Sequence, residues 1–129
     1  MKLLLDTHIW IWSAQEPWKL SSEVAREIAQ PENALFLSPV SIWELSMLTE
    51  RKRVILNVDF GQWCKRSIQE LSLEEAPFTW DVAAELPFTL QRDPGDRFLV
   101  ATAKVFDLTL VTADERLIKT PGLKVLANH

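Results

Sequence analysis

Residues 3–8, Leu3-Leu4-Leu5-Asp6-Thr7-His8, are three consecutive leucines without polar alternation, followed by an acid and a hydroxyl. A strand with one wet face alternates apolar and polar residues, whereas a strand covered on both faces does not. The run therefore predicts a buried parallel strand. The same signature returns at Leu35–Leu37, Leu108–Val111 and Val125–Leu126, and Leu73–Phe78 is read as another short strand. Between these runs lie segments with helical spacing and their own start signals: Ser21 or Ser22 before Val24, Ser41 before Ile42 and Leu45, Asp59 before Trp63, and Thr79 before Val82. Strands alternating with helices predict an α/β sandwich with a mainly parallel sheet, whose ligands bind beyond the carboxyl ends of the strands. The stretch Gly95–Asp107 is apolar on nearly every side, so it reads as the central buried helix, with Pro94 at its first position and Asp93 as its cap.

Composition narrows the chemistry. The chain has 129 residues, 47% apolar and 25% charged, the balance of one globular domain whose core needs no disulfide or structural metal. A single cysteine, Cys64, excludes a disulfide framework or a CxxC pair and fits a reducing cytoplasm, with Cys64 itself as packing. Only three isolated glycines occur, Gly61, Gly95 and Gly122, which removes the phosphate-cradling glycine loops and the GxSxG elbow. His8 and His129 cannot build a histidine-rich zinc site. No apolar run approaches the roughly 18 residues of a membrane helix, and Asp6 interrupts the opening too early for a signal peptide. What remains for chemistry is carboxylate. With a net charge of −4, there is no basic field to draw in a polyanion, so any nucleic-acid contact must be local or metal-mediated.

Four acids fall just after a strand, near the opening of a helix: Asp6, Glu44, Asp96 and Asp114. A parallel sheet puts Asp6 and Asp114 on one edge, and the other two can reach that edge from helix N-termini. Two carboxylates about 4 Å apart repel by about 4 kcal/mol at an effective dielectric of 20. A cluster of four therefore needs a cation, and hard oxygen ligands select Mg²⁺ or Mn²⁺. Such a site suits metal-assisted phosphodiester hydrolysis by an activated water. Each acid also has a structural reading. Ser41-Ile42-Trp43-Glu44 and Thr112-Ala113-Asp114-Glu115 both match the capping box, and Asp96 suits a helix first turn. Capping does not explain why an acid also ends the first strand, so on spacing alone both readings stand.

The opening Leu3–His8, Ser41-Ile42-Trp43-Glu44, Asp93-Pro94-Gly95-Asp96-Arg97 and Leu110-Val111-Thr112-Ala113-Asp114-Glu115 resemble, in this order, the motifs of PIN-domain proteins of the VapC toxin type. The match spans almost the whole chain, so residues 1–129 read as a single PIN-like domain. The resemblance implies a three-layer sandwich with about five strands ordered 3-2-1-4-5. It also implies a Mg²⁺- or Mn²⁺-dependent endoribonuclease, a homodimer and a cognate antitoxin. By position, Asp6, Glu44, Asp96 and Asp114 are similar to the family's catalytic, metal-holding quartet, and Thr112 to its hydroxyl neighbour. In this reading Thr7 and Asp93 support the acids or contact the substrate, and Arg97 clamps a phosphate or orients Asp96. Pro39 departs from the family pattern, where a small residue is commoner, and the acidic charge balance does not favour RNA.

Other readings fit less well. A phospho-receiver domain needs an acceptor Asp at the end of a middle strand, where Ser38 stands, and a haloacid-dehalogenase-type phosphatase needs an Asp at His8. A catalytically silent PIN-like scaffold conflicts with the intact quartet. Six Trp accompany no Tyr. Most large aromatics are core, but Ile9-Trp10-Ile11-Trp12 is wide for one helix face. Part of it, with Met47, Leu48 and the 59–70 helix, is expected at a dimer or antitoxin surface, anchored near Trp10, Trp12 or Met47. Arg51-Lys52-Arg53 reads as a helix end that complements the dipole, and Arg92 and Arg97 flank the Asp93–Asp96 turn.

Overall fold

The computed structural model describes residues 1–87 and 94–129. In chain order its elements are β1 (Lys2–Leu5), α1 (Thr7–Gln15), a 3₁₀ turn (Pro17–Lys19), α2 (Ser22–Ala29), β2 (Ala34–Leu37), α3 (Pro39–Glu50) and α4 (Phe60–Glu70), followed by β3 (Glu74–Glu75), α5 (Trp80–Ala84), α6 (Pro94–Val105), β4 (Thr109–Thr112), α7 (Glu115–Ile118) and β5 (Val125–Ala127). The five strands form one sheet in the order β3-β2-β1-β4-β5, with every pair parallel. This is the order and strand count implied above. Among the described residues no helix is long and apolar enough to cross a membrane.

The apolar run of β1 explains its place at the centre. Leu3, Leu4 and Leu5 are all fully buried. Strand side chains alternate between faces, so Leu3 and Leu5 join Trp10, Leu45 and Trp63 on one side while Leu4 joins Leu99, Val100 and Leu110 on the other. Two helical layers therefore cover one sheet. Each such leucine contributes about 1.5–3 kcal/mol when fully buried. The chain runs from β1 through β2 to β3 on one side and then returns to β4 and β5 on the other, so the order reverses between β1 and β4. Open parallel sheets bind their ligands at the carboxyl end of such a switch point; the strands end there at Leu5, which Asp6 follows, and at Thr112.

The start signals at Ser21, Asp59 and Thr79 are real caps, each side chain accepting from a backbone amide of the first turn. Ser41 is not a cap. Helix α3 begins earlier, with Ser38 accepting from Val40 N and Pro39 at the first position, which leaves Ser41 inside the helix and moves Glu44 out of its first turn. Nor does Thr112 cap α7: it closes β4, and Asp114 is the cap. Helix α6 does start at Pro94, and its expected cap Asp93 lies outside the described residues, as does Arg92.

Trp10 is also reassigned. With Ile9 and Ile11 it is buried, and its indole N–H donates to Ser67 Oγ (3.0 Å) while its ring meets Trp63 edge-on (centroids 5.1 Å apart). It ties α1 to α4 and cannot anchor a partner. Cys64 packs beside it as expected, and burial raises its thiol pKa. Arg51, Lys52 and Arg53 are exposed at the end of α3.

Candidate active site

Asp6 stands at the turn between β1 and α1. Its amide continues the sheet by donating to Val111 O (3.0 Å), and its side chain then serves two neighbours at once. Oδ1 accepts from Thr7 N (2.8 Å) as the cap of α1, and Oδ2 accepts from the Thr112 hydroxyl (2.6 Å). Thr112 is fully buried at the end of the adjacent strand, and its oxygen also accepts from Asp114 N (3.1 Å). Burial raises the Asp6 pKa, the Thr112 and Thr7 hydrogen bonds and the His8 charge oppose that shift, and the Asp114 charge adds to it. Capping alone accounts for one oxygen of Asp6; the second is held by β4.

A second hydroxyl links the next acid. Thr7 Oγ lies 2.8 Å from Glu44 Oε1 and 2.8 Å from Ser41 Oγ. A threonine has one proton to give, so it goes to the charged carboxylate and Ser41 supplies its own proton to Thr7. Both hydroxyls are buried. Glu44 also lies directly against α6, where a Cβ added to Gly95 would stand 2.7 Å from its carboxyl carbon. Only glycine leaves that space. The positive end of a twelve-residue helix favours the carboxylate resting there.

Asp96 follows Gly95 in the same first turn and is half-buried. Asp114 accepts from Arg116 N (2.9 Å), with Arg116 Nε 3.9 Å away. Arg97 is half-buried, and its Nε donates to the Pro87 carbonyl (3.3 Å), fastening the start of α6 to the end of the α5 segment. Sequence reasoning missed Ser41 as a partner of Thr7, and it missed Gly95, although a glycine beside an acid in a helix first turn signals close approach.

The donor set consists of hard oxygens alone. Two of its members, Asp6 and Asp114, feel each other's charge, and a third fills a niche cleared by glycine. These features fit a hard divalent cation. Among the described residues, no three His, Cys, Asp or Glu side chains are arranged to hold a metal ion. Thr7 links Asp6 to Glu44, and Thr112 links Asp6 to Asp114.

Comparison with known proteins agrees with this architecture. The PIN domain pattern matches residues 3–123. Ribonuclease VapC22 of Mycobacterium tuberculosis is 31% identical over 116 residues, covering 89% of this chain and 88% of that protein. The solved VapBC2 of Rickettsia felis, bound to a DNA fragment from its promoter, superposes with a TM-score of 0.73 at 19% identity and full coverage of both chains. The DNA-bound VapBC of Salmonella typhimurium gives 0.70 at 17% identity over 98% of each chain. With a parallel sheet of this order, its acids at the switch point and this sequence match, the chain belongs to the PIN-domain family, in its VapC-type branch.

Proposed function

We propose that this protein is a Mg²⁺- or Mn²⁺-dependent endoribonuclease, the toxin of a cytoplasmic toxin–antitoxin pair, acting on unpaired regions of RNA. The observation that carries the reading is the pair of hydroxyl bridges, Thr112 to Asp6 and Thr7 to Glu44, at the point where the sheet reverses. Membership of the VapC-type branch supports the ribonuclease class.

Asp6, Glu44, Asp96 and Asp114 would hold the cation, which when bound supplies charge stabilisation of the phosphodiester and acidifies a water. The protein's own part is orientation. Thr112 fixes one oxygen of Asp6 and the Thr7 amide fixes the other, so the carboxylate cannot rotate. Thr7 and Ser41 do the same for Glu44. Holding reacting groups in this way supplies catalysis by positioning. Asp93 and Arg97 would meet the substrate beside the start of α6. A cognate antitoxin would restrain the enzyme by presenting an Arg or Lys to the acids, and a homodimer is the expected assembly.

The test is end-labelled structured RNA incubated with and without Mn²⁺, comparing wild type with Asp96→Asn. Cleavage in unpaired loops is expected only for wild type with metal. Cleavage that persists in EDTA, or in a folded Asp6→Asn protein, overturns the mechanism. Expressed alone, wild type should arrest growth and Asp96→Asn should not. Normal growth of both at equal soluble expression removes the toxin assignment.

A further inference from the structure

A chain of contacts that starts in the helix capped by Asp6 leads back to that acid. His8, two residues on in the first turn of α1, is exposed, and its ring centroid lies 5.9 Å from that of Trp12. The Lys19 ammonium sits over Trp12, with Nζ 5.7 Å from the ring centroid, within cation–π range. The Lys19 carbonyl accepts from Asn128 Nδ2 (3.1 Å), and Asn128 Oδ1 accepts from Ser21 N (2.6 Å). The Asn128 backbone N–H donates to the Thr112 carbonyl (2.8 Å), and the Thr112 hydroxyl reaches Asp6. Asn128 is buried, and a buried amide engaged on both sides is a rigid clamp. It fastens the Pro17–Lys19 turn to the edge that carries the acids.

Hydrolysis by the acids does not require this clamp. Substrate binding needs something more than the acids, because they repel a polyanion and the chain as a whole is negative, so local cations and ring faces must hold the strand. They adjoin the acids on this chain of contacts, and the same turn carries Trp18, 75% exposed. We infer that His8 and Lys19, both set against the half-buried Trp12, form a nucleotide-binding wall of the cleft, taking an unpaired RNA base against the His8 ring and a neighbouring phosphate on Lys19, with Asn128 as the positioning residue. The inference rests on the nuclease reading and sharpens it, since only a base freed from pairing can offer its face to a side chain. Glu16 Oε2, 2.6 Å from Lys19 Nζ, competes with the phosphate. Both ends of that pair are partly exposed, and surface pairs of this kind hold weakly.

The test measures binding of a short, unstructured, fluorescein-labelled RNA in EDTA by anisotropy, from about 50 to about 200 mM salt. All variants carry Asp96→Asn to prevent cleavage. Lys19→Ala should weaken binding and flatten the log–log salt slope by about 0.7, the loss of one phosphate contact on a single strand. His8→Ala should weaken binding at least about fivefold through lost stacking, with the slope unchanged. Glu16→Gln, which releases Lys19, should tighten binding. Asn128→Ala should act on the slope as Lys19→Ala does, and in the active enzyme it should raise KM while leaving kcat in place. Lys104→Ala, in the last turn of α6, is the charge-matched control. If the RNA binds and is cleaved but the wall variants behave like Lys104→Ala, the wall is wrong and the nuclease stands. If those variants leave RNA affinity alone but change self-association, the surface belongs to a second copy and the inference is overturned. If the parent neither binds nor cleaves RNA, the nuclease reading has failed and the wall fails with it.

Discussion

Asp6 and Asp114 invite comparison because they occupy equivalent places, each one residue or two beyond a central strand and each capping the helix that follows. Their surroundings differ. Asp6 gives one oxygen to its helix and the other to a buried hydroxyl from the next strand, and burial raises its pKa. Asp114 serves the amide of Arg116, with the exposed Arg116 guanidinium nearby. An acid kept in a desolvated place by a hydroxyl from another strand is held there against its own electrostatic preference. Burial and the Thr112 hydroxyl, more than the cap, define the place of Asp6.

The largest effect that could break the comparison is on activity. Asp6→Asn keeps the side-chain shape and should reduce RNA cleavage by roughly a thousandfold or more, the several kcal/mol that a metal-held site supplies. Single-turnover cleavage rates measure it, and a loss under tenfold would place Asp6 among the plain caps. Next comes Gly95→Ala. The added methyl meets the flexible end of Glu44 and not backbone. Stability should therefore move by less than about 1 kcal/mol, since alanine also favours a helix. Activity should fall by about a hundredfold as Glu44 leaves Thr7. Loss of stability with activity intact would show that the niche is only packing.

Thr112→Val sharpens the comparison from the other side. It removes the donor to Asp6 and the acceptor for Asp114 N together. It should destabilise the fold by about 1–3 kcal/mol in urea melts, because buried partners are left unmet. Asp114→Ala should cost only about 1 kcal/mol, the worth of an N-cap, and Asp114→Asn almost nothing.

The smallest effect lies in a pH trend. A carboxyl whose folded pKa is raised above its ordinary value of 3.8 stabilises the fold while protonated, and that contribution is lost as pH rises through the raised value. In chelator, Asp6→Asn should therefore melt higher than wild type at about pH 7.5, and the gap should close towards about pH 3.5. A gap that widens on acidification would reverse the sign assigned to Asp6.

Much of this was legible in the chain. Leu3–Leu5 announced a strand covered on both faces because three leucines in a row leave no polar face, and Asp6 and Asp114 follow the neighbouring strands β1 and β4. The misreadings share one cause. Ser41 looked like a cap because the S-x-x-E spacing occurs inside helices as well as at their starts, and only the fold shows that Thr7, 34 residues away, is its partner. Trp10 looked surplus to one helix face, but α1 is packed between β1 and α4, so its buried face is wider than an ordinary amphipathic stripe. Asn128 gave no signal, since its side-chain partners are more than a hundred residues distant. Local pattern finds elements; long-range hydrogen bonds belong to the assembled molecule.

The two-residue strand β3 has a consequence for aggregation. It ends the sheet with Glu74 and Glu75, both exposed, and Pro77 follows soon after. An open edge is a template on which further chains can polymerise, and short, charged strands with a nearby proline block it. A second sheet therefore cannot grow from this side, and any association of the protein there must use helices or loops. Replacing both glutamates with valine should convert the edge into a seed for fibrils, visible as thioflavin binding during prolonged incubation of the folded protein.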